Sequence, residues 1–187
     1  MLAMMRRFLV ECGKGAGGNN TFHSTARRRG LLKNINPLLG PDLLACLRAA
    51  GHGDVITCVD CNFPASSTAL TTKSKRLIEL AGVDLPTAVD AITSVLPLDF
   101  FVDKPAVYMA PSEGVSLPPL GREVHGHLQD VLQQNSGIPA APLERFAFYE
   151  AAERSFVIVQ CGGERRPYGN VMLQKGVIGP DGKDLKP

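Results

Sequence analysis

The 187-residue sequence contains no tryptophan and no run of apolar residues long enough to cross a lipid bilayer. Its formal net charge is only +2, which favours neither a nucleic-acid partner nor a membrane surface. Hydrophobic residues make up 44% and charged residues 20%, proportions that exclude a collagen-like or wholly disordered chain. The length suffices for one globular domain and a tail, but hardly for two domains.

The small net charge conceals a basic N-terminal segment. Residues 1–30 contain six Lys and Arg residues against Glu11 alone, a net charge of +5, whereas the rest of the chain carries 14 basic and 17 acidic side chains, a net charge of −3. The segment is rich in Gly, Asn, Ser and Thr, so we expect it to lie outside the fold. Its composition leaves three alternatives open: a mitochondrial presequence, an unstructured extension without a targeting role, or a product of an upstream start codon. We expect an intracellular protein, cytoplasmic or mitochondrial, because Glu11 would interrupt the apolar core of a secretory signal.

The chain has five cysteines, an odd number that does not favour a disulfide framework. Cys58 and Cys61 form a Cys-x-x-Cys pair, which can indicate a zinc site or a redox-active dithiol. A structural zinc site needs four ligands, and the other Cys and His residues are scattered singly. Cys58 also lies in an apolar run typical of a buried strand, where period-two alternation places the two thiols on opposite faces. We therefore expect reduced cysteines and no metal.

Helical and strand patterns alternate at short spacing from Leu31 onward, which predicts an α/β fold. We expect a single-domain mixed sheet flanked by helices over residues 31–178, followed by a loose tail over residues 179–187. The predicted elements are helices at 41–50, 85–96, 120–134 and near 145–154, strands at 55–59, 106–109, 155–159 and 171–177, a loop at 62–72, and a short strand or helical turn at 73–80.

Among the four histidines, His52 lies in the setting best suited to chemistry. It stands between Gly51 and Gly53, beyond a predicted helix and before a predicted strand, where other groups can approach closely. The negative end of the helix dipole favours a protonated imidazole there. Asp60 ends the same strand, and ligands of open α/β sheets gather at the carboxyl ends of strands, so His52 and Asp60 are a candidate acid/base pair. A capping or buried histidine is the alternative reading.

Further polar candidates lie near predicted helix ends and in the loop before the last strand. They are Asp99, Arg145, Tyr149, Tyr168 and Asn170. Hydroxyl, amide and carboxylate groups suit a sugar, because each ring hydroxyl both donates and accepts hydrogen bonds. Each candidate also has a structural explanation as a cap, a core edge or a turn. His125 and His127 fall outside the apolar stripe of their helix, so we expect both to be solvated.

Five ordered blocks together resemble the L-fucose mutarotase branch of the ribose pyranase/fucose mutarotase family. The blocks are Leu43-Leu44 with Gly51-His52-Gly53-Asp54, Asp60-Cys61-Asn62-Phe63-Pro64-Ala65-Ser66-Ser67, Leu96-Pro97-Leu98-Asp99, Glu144-Arg145-Phe146-Ala147-Phe148-Tyr149-Glu150, and Tyr168-Gly169-Asn170 with Lys175-Gly176-Val177. The resemblance implies an α/β subunit within a ring-like homo-oligomer whose active sites form close to subunit contacts. It also implies a cofactor-free reaction on a monosaccharide, the interconversion of the α and β anomers of fucose.

The resemblance also assigns roles by position. His52 would transfer protons, whereas sugar contacts would come from Asp60, Asp99, Tyr149, Tyr168 and Asn170, with Arg145 as a weaker candidate. Mutarotation fits these groups, since a base must take the anomeric hydroxyl proton while an acid protonates the ring oxygen. Asn62 stands where bacterial members tend to have His, and residues 68–80 and 114–121 match poorly. The preference among fucose, galactose and ribose therefore stays open, as do a ribose pyranase and a non-catalytic monosaccharide-binding module.

Overall fold

The computed structural model describes residues 30–187, so the predicted N-terminal extension and its targeting role lie outside the described residues. The elements in chain order are α1 (Pro41–Ala49), β1 (Val55–Val59), α2 (Ala65–Thr71), β2 (Leu77–Leu80), α3 (Leu85–Thr93), β3 (Ala106–Ala110), α4 (Pro119–Ser136), β4 (Ala141–Glu144), α5 (Arg145–Ala152), β5 (Val157–Cys161) and β6 (Val171–Gln174). Over residues 30–187, none of the helices has the length and apolar character needed to span a membrane.

The six strands form one mixed sheet in the order β2-β5-β1-β6-β3-β4. Strand β6 runs antiparallel to both of its neighbours, and the other adjacent pairs are parallel. Cys58 near the end of β1 lies opposite Val171 at the start of β6, and Val55 lies opposite Gln174. Each end of β1 is therefore beside the opposite end of β6. The mixed α/β sheet predicted from the sequence is confirmed.

Apolar side chains cover both faces of the sheet, so the fold has three layers. Helices α1, α3 and α4 pack on one face through residues such as Leu43, Val89 and Leu128. Helices α2 and α5 pack on the other face, where Phe148 of α5 and Met172 of β6 belong to one buried apolar cluster. Strands β1 and β5 are thus buried on both sides, which explains why their sequences are continuous apolar runs rather than alternating ones.

Several boundaries predicted from local chemistry are confirmed. Strand β1 spans the predicted residues, and α3 begins after Asp84, whose carboxylate accepts a hydrogen bond from the Thr87 N–H at 3.0 Å. Helix α4 ends at Gly137, which has φ 72° in the left-handed region. Strand β5 begins at Val157 rather than at Ser155, whose hydroxyl instead hydrogen-bonds the Thr57 hydroxyl at 2.6 Å.

The segment predicted as a loop at 62–72 contains the helix α2, so that prediction is wrong. Local signals do not indicate this helix, because Pro64 at the N-cap offers no side-chain acceptor and Ser and Thr are weak helix formers. Ala65 and Ala69 are buried in the core on the α5 side of the sheet. Tertiary packing therefore stabilises α2 where intrinsic propensity does not.

The C-terminal tail, predicted to be loose, makes specific contacts. The Gly179 N–H donates to the Lys183 carbonyl at 2.7 Å, and the Leu185 N–H donates to the Val177 carbonyl at 2.9 Å. The Lys186 ammonium lies 4.4 Å from the centre of the Phe100 ring, a cation–π contact. The tail thus folds back against Val177 and Phe100.

The two cysteines of the Cys-x-x-Cys pair lie in different surroundings. Cys58 is buried within β1, where burial raises the pKa of its thiol to about 12, whereas Cys61 is exposed beyond the strand. Across residues 30–187, no three Cys, His, Asp or Glu side chains come together in an arrangement that could hold a metal ion. Cys58 is therefore an inert core residue.

Candidate active site

His52 and Asp99 form a hydrogen-bonded pair at the amino end of β1. His52 lies in the turn between α1 and β1, and its Nε2 is 2.9 Å from Oδ2 of Asp99. The His52 side chain is 52% exposed, whereas the Asp99 side chain is only 1% exposed. The Phe101 ring packs against the imidazole in an edge-on arrangement with 6.4 Å between ring centres. A half-exposed imidazole is therefore hydrogen-bonded to a buried carboxylate.

The surroundings of Asp99 keep it ionised. Burial raises the pKa of Asp99, but hydrogen bonds from the Phe101 N–H, the Gln174 amide and His52 outweigh burial and hold the pKa below its ordinary value. Because an ionised carboxylate only accepts hydrogen bonds, Nε2 of His52 must carry the proton of this pair. In the neutral ring, Nδ1 is then left as the unprotonated nitrogen, able to act as a base.

The Asp54 side chain fixes the Gly51–Asp54 turn and ties it to Lys73. The Asp54 carboxylate accepts a hydrogen bond from the Gly51 N–H at 2.8 Å. It also forms an ion pair with Lys73, whose Nζ lies 2.7 Å from Asp54 Oδ1. Gly53 has φ 81°, a conformation that favours glycine. The glycines noted in the sequence therefore shape the turn that presents His52.

A cavity of about 210 Å³ lies at the opposite, carboxyl end of β1. It is lined by Asp60, Asn62, Phe63, Met109, Arg145, Tyr149, Pro167, Tyr168 and Asn170. All five of the predicted sugar contacts other than Asp99 are among these residues. The Phe63, Met109 and Pro167 side chains were not predicted as contacts, because nothing in the local pattern distinguishes them from loop or core residues. Asn62 was noted only as the residue at a position where bacterial family members tend to have His.

Asp60 and Asn170 form a reciprocal pair at the base of the cavity. The Asn170 amide donates to Asp60 Oδ2 at 2.8 Å, and the Asp60 N–H donates to Asn170 Oδ1 at 3.0 Å. Oδ1 of Asp60 also accepts hydrogen bonds from the N–H groups of Asn62 and Phe63. Burial raises the pKa of Asp60 above its ordinary value in spite of these donors. The two side chains hold each other rigidly where β1 ends and β6 begins.

Tyr168 has a backbone conformation that is rare for a large side chain. Its φ is 64°, in the left-handed region, where a bulky residue is strained. Its carbonyl accepts a hydrogen bond from Nε2 of His125 at 3.0 Å, and the His125 ring packs on Tyr108 with 4.3 Å between ring centres. His125 is thus buried, and the prediction that it is solvated is wrong. It faces the loop that carries Tyr168, a contact that helical periodicity does not reveal.

Arg145 and Tyr149 enter the cavity from α5. The Tyr149 ring stacks on Phe63 with 5.2 Å between ring centres, and the Arg145 guanidinium lies 4.6 Å from the centre of the Phe146 ring. The Nε of Arg145 is buried and has no hydrogen-bond partner among residues 30–187. An unpaired buried donor in a cavity wall suits an oxygen atom of a ligand.

The cavity and the His52–Asp99 pair do not meet within one chain. They flank the two ends of β1, whose five residues span roughly 17 Å at the usual rise of a strand. Within this chain, the expectation that His52 and Asp60 share one crevice is therefore wrong. Both residues border the same strand, but a rigid extended strand keeps its two ends apart.

Comparison with known proteins decides the family. Residues 33–178 match the model of the RbsD / FucU transport protein family. The chain belongs to this family. The family resemblance inferred from the five sequence blocks is therefore confirmed.

Three members illustrate the likeness. A fucose mutarotase of Bos taurus is 38% identical over 157 residues, which cover 83% of this chain and 98% of the bovine protein. A crystal structure of the fucose mutarotase from Streptococcus pneumoniae in complex with L-fucose is 32% identical, with a TM-score of 0.69, and the match covers 79% of this chain and all of that one. RbsD of Bacillus subtilis, solved with D-ribose, is 18% identical with a TM-score of 0.58 over 80% of this chain and 100% of that chain, which shows the common fold alone.

Proposed function

We propose that this chain is an L-fucose mutarotase, an isomerase, and that each active site combines the cavity of one subunit with the His52–Asp99 pair of another. The match to its fucose mutarotase relatives extends over nearly the whole length of those relatives. The observation that carries the assembly is the location of a base and of a sugar-sized cavity at opposite ends of β1. A homo-oligomer can bring together two ends that a single rigid sheet keeps apart.

The cavity supplies binding and orientation. Asp60 and Asn170 present fixed carboxylate and amide groups to ring hydroxyls, and the unpaired Nε of Arg145 donates to a sugar oxygen. Phe63 and Met109 give the same cavity an apolar wall that suits the methyl group of a 6-deoxy sugar such as L-fucose. Rigid placement of these groups lowers the entropic cost of reaching the reactive geometry.

The His52–Asp99 pair supplies the proton transfer. Nδ1 of His52 takes the proton of the anomeric hydroxyl, while a hydroxyl in the cavity, from Tyr149 or Tyr168, protonates the ring oxygen. The bond between C1 and the ring oxygen then breaks and leaves an open-chain aldehyde. Rotation about the bond between C1 and C2, followed by the reverse transfers, closes the ring as the other anomer. Asp99 stabilises the imidazolium that forms in the first step.

Exposed apolar side chains beside each half-site support a subunit contact. Phe101, which packs on His52, is 51% exposed, and Phe146, next to Arg145, is 62% exposed. Removing such side chains from water stabilises an interface. The contact would thus bury Phe101 and Phe146 while it brings His52 to the mouth of the cavity.

The assembly is tested by mixing two inactive variants. His52→Ala lacks the base and Asn170→Ala lacks the paired cavity, and exchange between fucose anomers is measured by NMR saturation transfer. If the site spans two subunits, coexpression of the variants in equal amounts leaves about one quarter of the sites with two unmutated halves, so activity returns. If each site lies within one chain, the mixed oligomers stay inactive. A monomer in analytical ultracentrifugation would also contradict the assembly.

The substrate is tested on a panel of free sugars. We expect faster exchange for L-fucose than for its 6-hydroxy analogue L-galactose or for D-ribose, because Phe63 and Met109 favour a methyl group at that position. Fastest exchange between ring forms of D-ribose would instead identify a ribose pyranase. Sugar binding without any acceleration of exchange would identify a non-catalytic binding protein.

A further inference from the structure

The carboxyl end of α1 is capped by a lysine from the far end of the chain. The ammonium of Lys175 donates to the carbonyls of Leu47 at 2.8 Å and Ala50 at 2.6 Å. The last carbonyls of a helix lack partners within the helix and carry its negative end. The sequence predicted that this negative end would favour the His52 imidazolium, but Lys175 occupies the position and supplies the compensating charge.

The backbone around Lys175 connects the His52 turn to Asp99. On one side, the Lys175 N–H donates to the Asp54 carbonyl at 2.8 Å, and the Lys175 carbonyl accepts from the Gly53 N–H at 2.9 Å. On the other side, Lys175 forms an antiparallel bridge with Leu98, and the Asp99 N–H donates to the Gln174 carbonyl at 3.1 Å. Residues 174–176 thus lie between the two members of the pair.

Close packing leaves this segment little freedom to shift. A Cβ on Gly176 would lie 2.2 Å from the Leu98 carbonyl oxygen, so only glycine permits the approach. The Gln174 amide donates to Asp99 Oδ2, the same oxygen that His52 contacts. Asp99 is therefore held on the segment by backbone and side chain together. The turn that carries His52 is held by the backbone bonds to Lys175, and α1, which leads into that turn, is held by the Lys175 ammonium.

We propose that Lys175 is a positioning residue for His52, which by anchoring the end of α1 fixes the imidazole at its catalytic distance from Asp99. This proposal rests on the proposed function, because it assigns Lys175 an effect through the base of the reaction. Lys175 does not line the cavity, which lies at the other end of β1. It therefore acts on the proton transfer and not on the binding of sugar.

The test compares Lys175→Met with Lys175→Arg, which retains a cationic donor, and with Lys183→Met, which removes an exposed lysine of the tail. We expect Lys175→Met to lower kcat about 10-fold with KM within about 2-fold, since small misplacements of a catalytic group lower rates steeply. Lys175→Arg should recover part of the loss, and Lys183→Met should match the unmutated protein. Should Lys175→Met not fold, Lys175→Gln, which keeps one amide donor, takes its place with a smaller expected loss.

A double-mutant cycle shows whether Lys175 acts through His52. In a His52→Ala background, Lys175→Met should not lower the residual rate further, because the group that it positions is gone. An equal loss in both backgrounds, or a rise in KM without a fall in kcat, would overturn the proposal.

A second readout does not depend on activity. The ¹H–¹⁵N resonances of the His52 ring should shift in Lys175→Met and stay unchanged in Lys183→Met. If the unmutated protein does not accelerate fucose exchange, the proposed function fails, while this spectrum still tests the positioning. Unchanged His52 resonances in folded Lys175→Met would contradict the positioning whatever the activity.

Discussion

A buried aspartate lies at each end of β1, and the two carboxylates differ in their surroundings and in the direction of their pKa shifts. At the carboxyl end, the Asp60 carboxylate is buried and accepts hydrogen bonds from the Asn170 amide and from two backbone N–H groups, but burial outweighs these donors and its pKa is raised. At the amino end, the Asp99 carboxylate is also buried, but it receives hydrogen bonds from a backbone N–H, an amide and an imidazole, and its pKa is lowered. The first arrangement suits recognition of a neutral sugar, and the second suits stabilisation of a cation that forms during proton transfer.

Removal of the base should produce the largest effect. His52→Ala should reduce kcat for fucose anomer exchange by roughly 100- to 10,000-fold, the usual contribution of general acid–base catalysis, because it removes the imidazole nitrogen that takes the anomeric proton. Binding of fucose by the cavity should change by less than about 2-fold. NMR saturation transfer measures the exchange, and calorimetry measures the binding. A parallel loss of exchange and binding would show that the two ends are not functionally separate.

Neutralising the partner of the base should have the next largest effect. Asp99→Asn should reduce kcat by about 10-fold or more, because an amide holds the imidazole without stabilising its charge and permits the wrong tautomer. Its effect should not add to that of His52→Ala. The cavity residue Asp60 provides the matched control, since Asp60→Asn should raise KM more than it lowers kcat. Equal changes in kcat for both substitutions would remove the distinction between the ends.

Loss of the amide at the cavity end should affect stability as well as binding. Asn170→Ala leaves the buried Asp60 carboxylate without its amide donor, a loss that costs about 1–3 kcal/mol in the free energy of unfolding. Urea denaturation measures this cost. Asn135→Ala is the matched control, because the exposed Asn135 amide bonds Asp90 and Thr93 at the surface, and its removal should cost less than about 0.5 kcal/mol.

The pH dependence of stability should be the smallest and most diagnostic difference. The pKa of Asp99 is lowered from its ordinary value of 3.8, so its contribution is present above pH 3.8 and is lost as the pH falls through the folded pKa. The pKa of Asp60 is raised from 3.8, so its contribution is present below pH 3.8 and is lost as the pH rises through the folded pKa. Urea denaturation between about pH 2.5 and 6.5 should show that Asp99→Asn and Asp60→Asn change the slope in opposite directions. Changes in the same direction would contradict the contrast.

Predictions from the sequence succeeded where a local interaction decides the outcome. Asp84 caps α3, Gly137 ends α4, and the apolar run at Val55–Val59 becomes a strand covered on both faces. In each case the signal and its structural effect lie within a few residues. The family resemblance likewise pointed to five of the residues that line the cavity, namely Asp60, Arg145, Tyr149, Tyr168 and Asn170.

Predictions failed where distant segments decide the outcome. Helix α2 exists because Ala65 and Ala69 pack on β5 within a core cluster shared with α5, and His125 is buried because the loop with Tyr168 lies against it. Neither contact leaves a periodic trace in the segment concerned. The capping of α1 by Lys175 joins residues more than 120 positions apart in the chain, beyond the reach of a local pattern.

The sequence by itself determined most of the helices and strands, the caps of α3 and α4 and the chemical groups available for a sugar, because short-range sterics, hydrogen bonding and hydrophobic periodicity act between near neighbours. Only the tertiary structure decided which of those groups lie together at each end of β1. The antiparallel pairing of β1 with β6 brings Asn170 to Asp60 at one end and Gln174 to Asp99 at the other. The length of one strand then separates base from cavity, and this separation follows from how the strands pair.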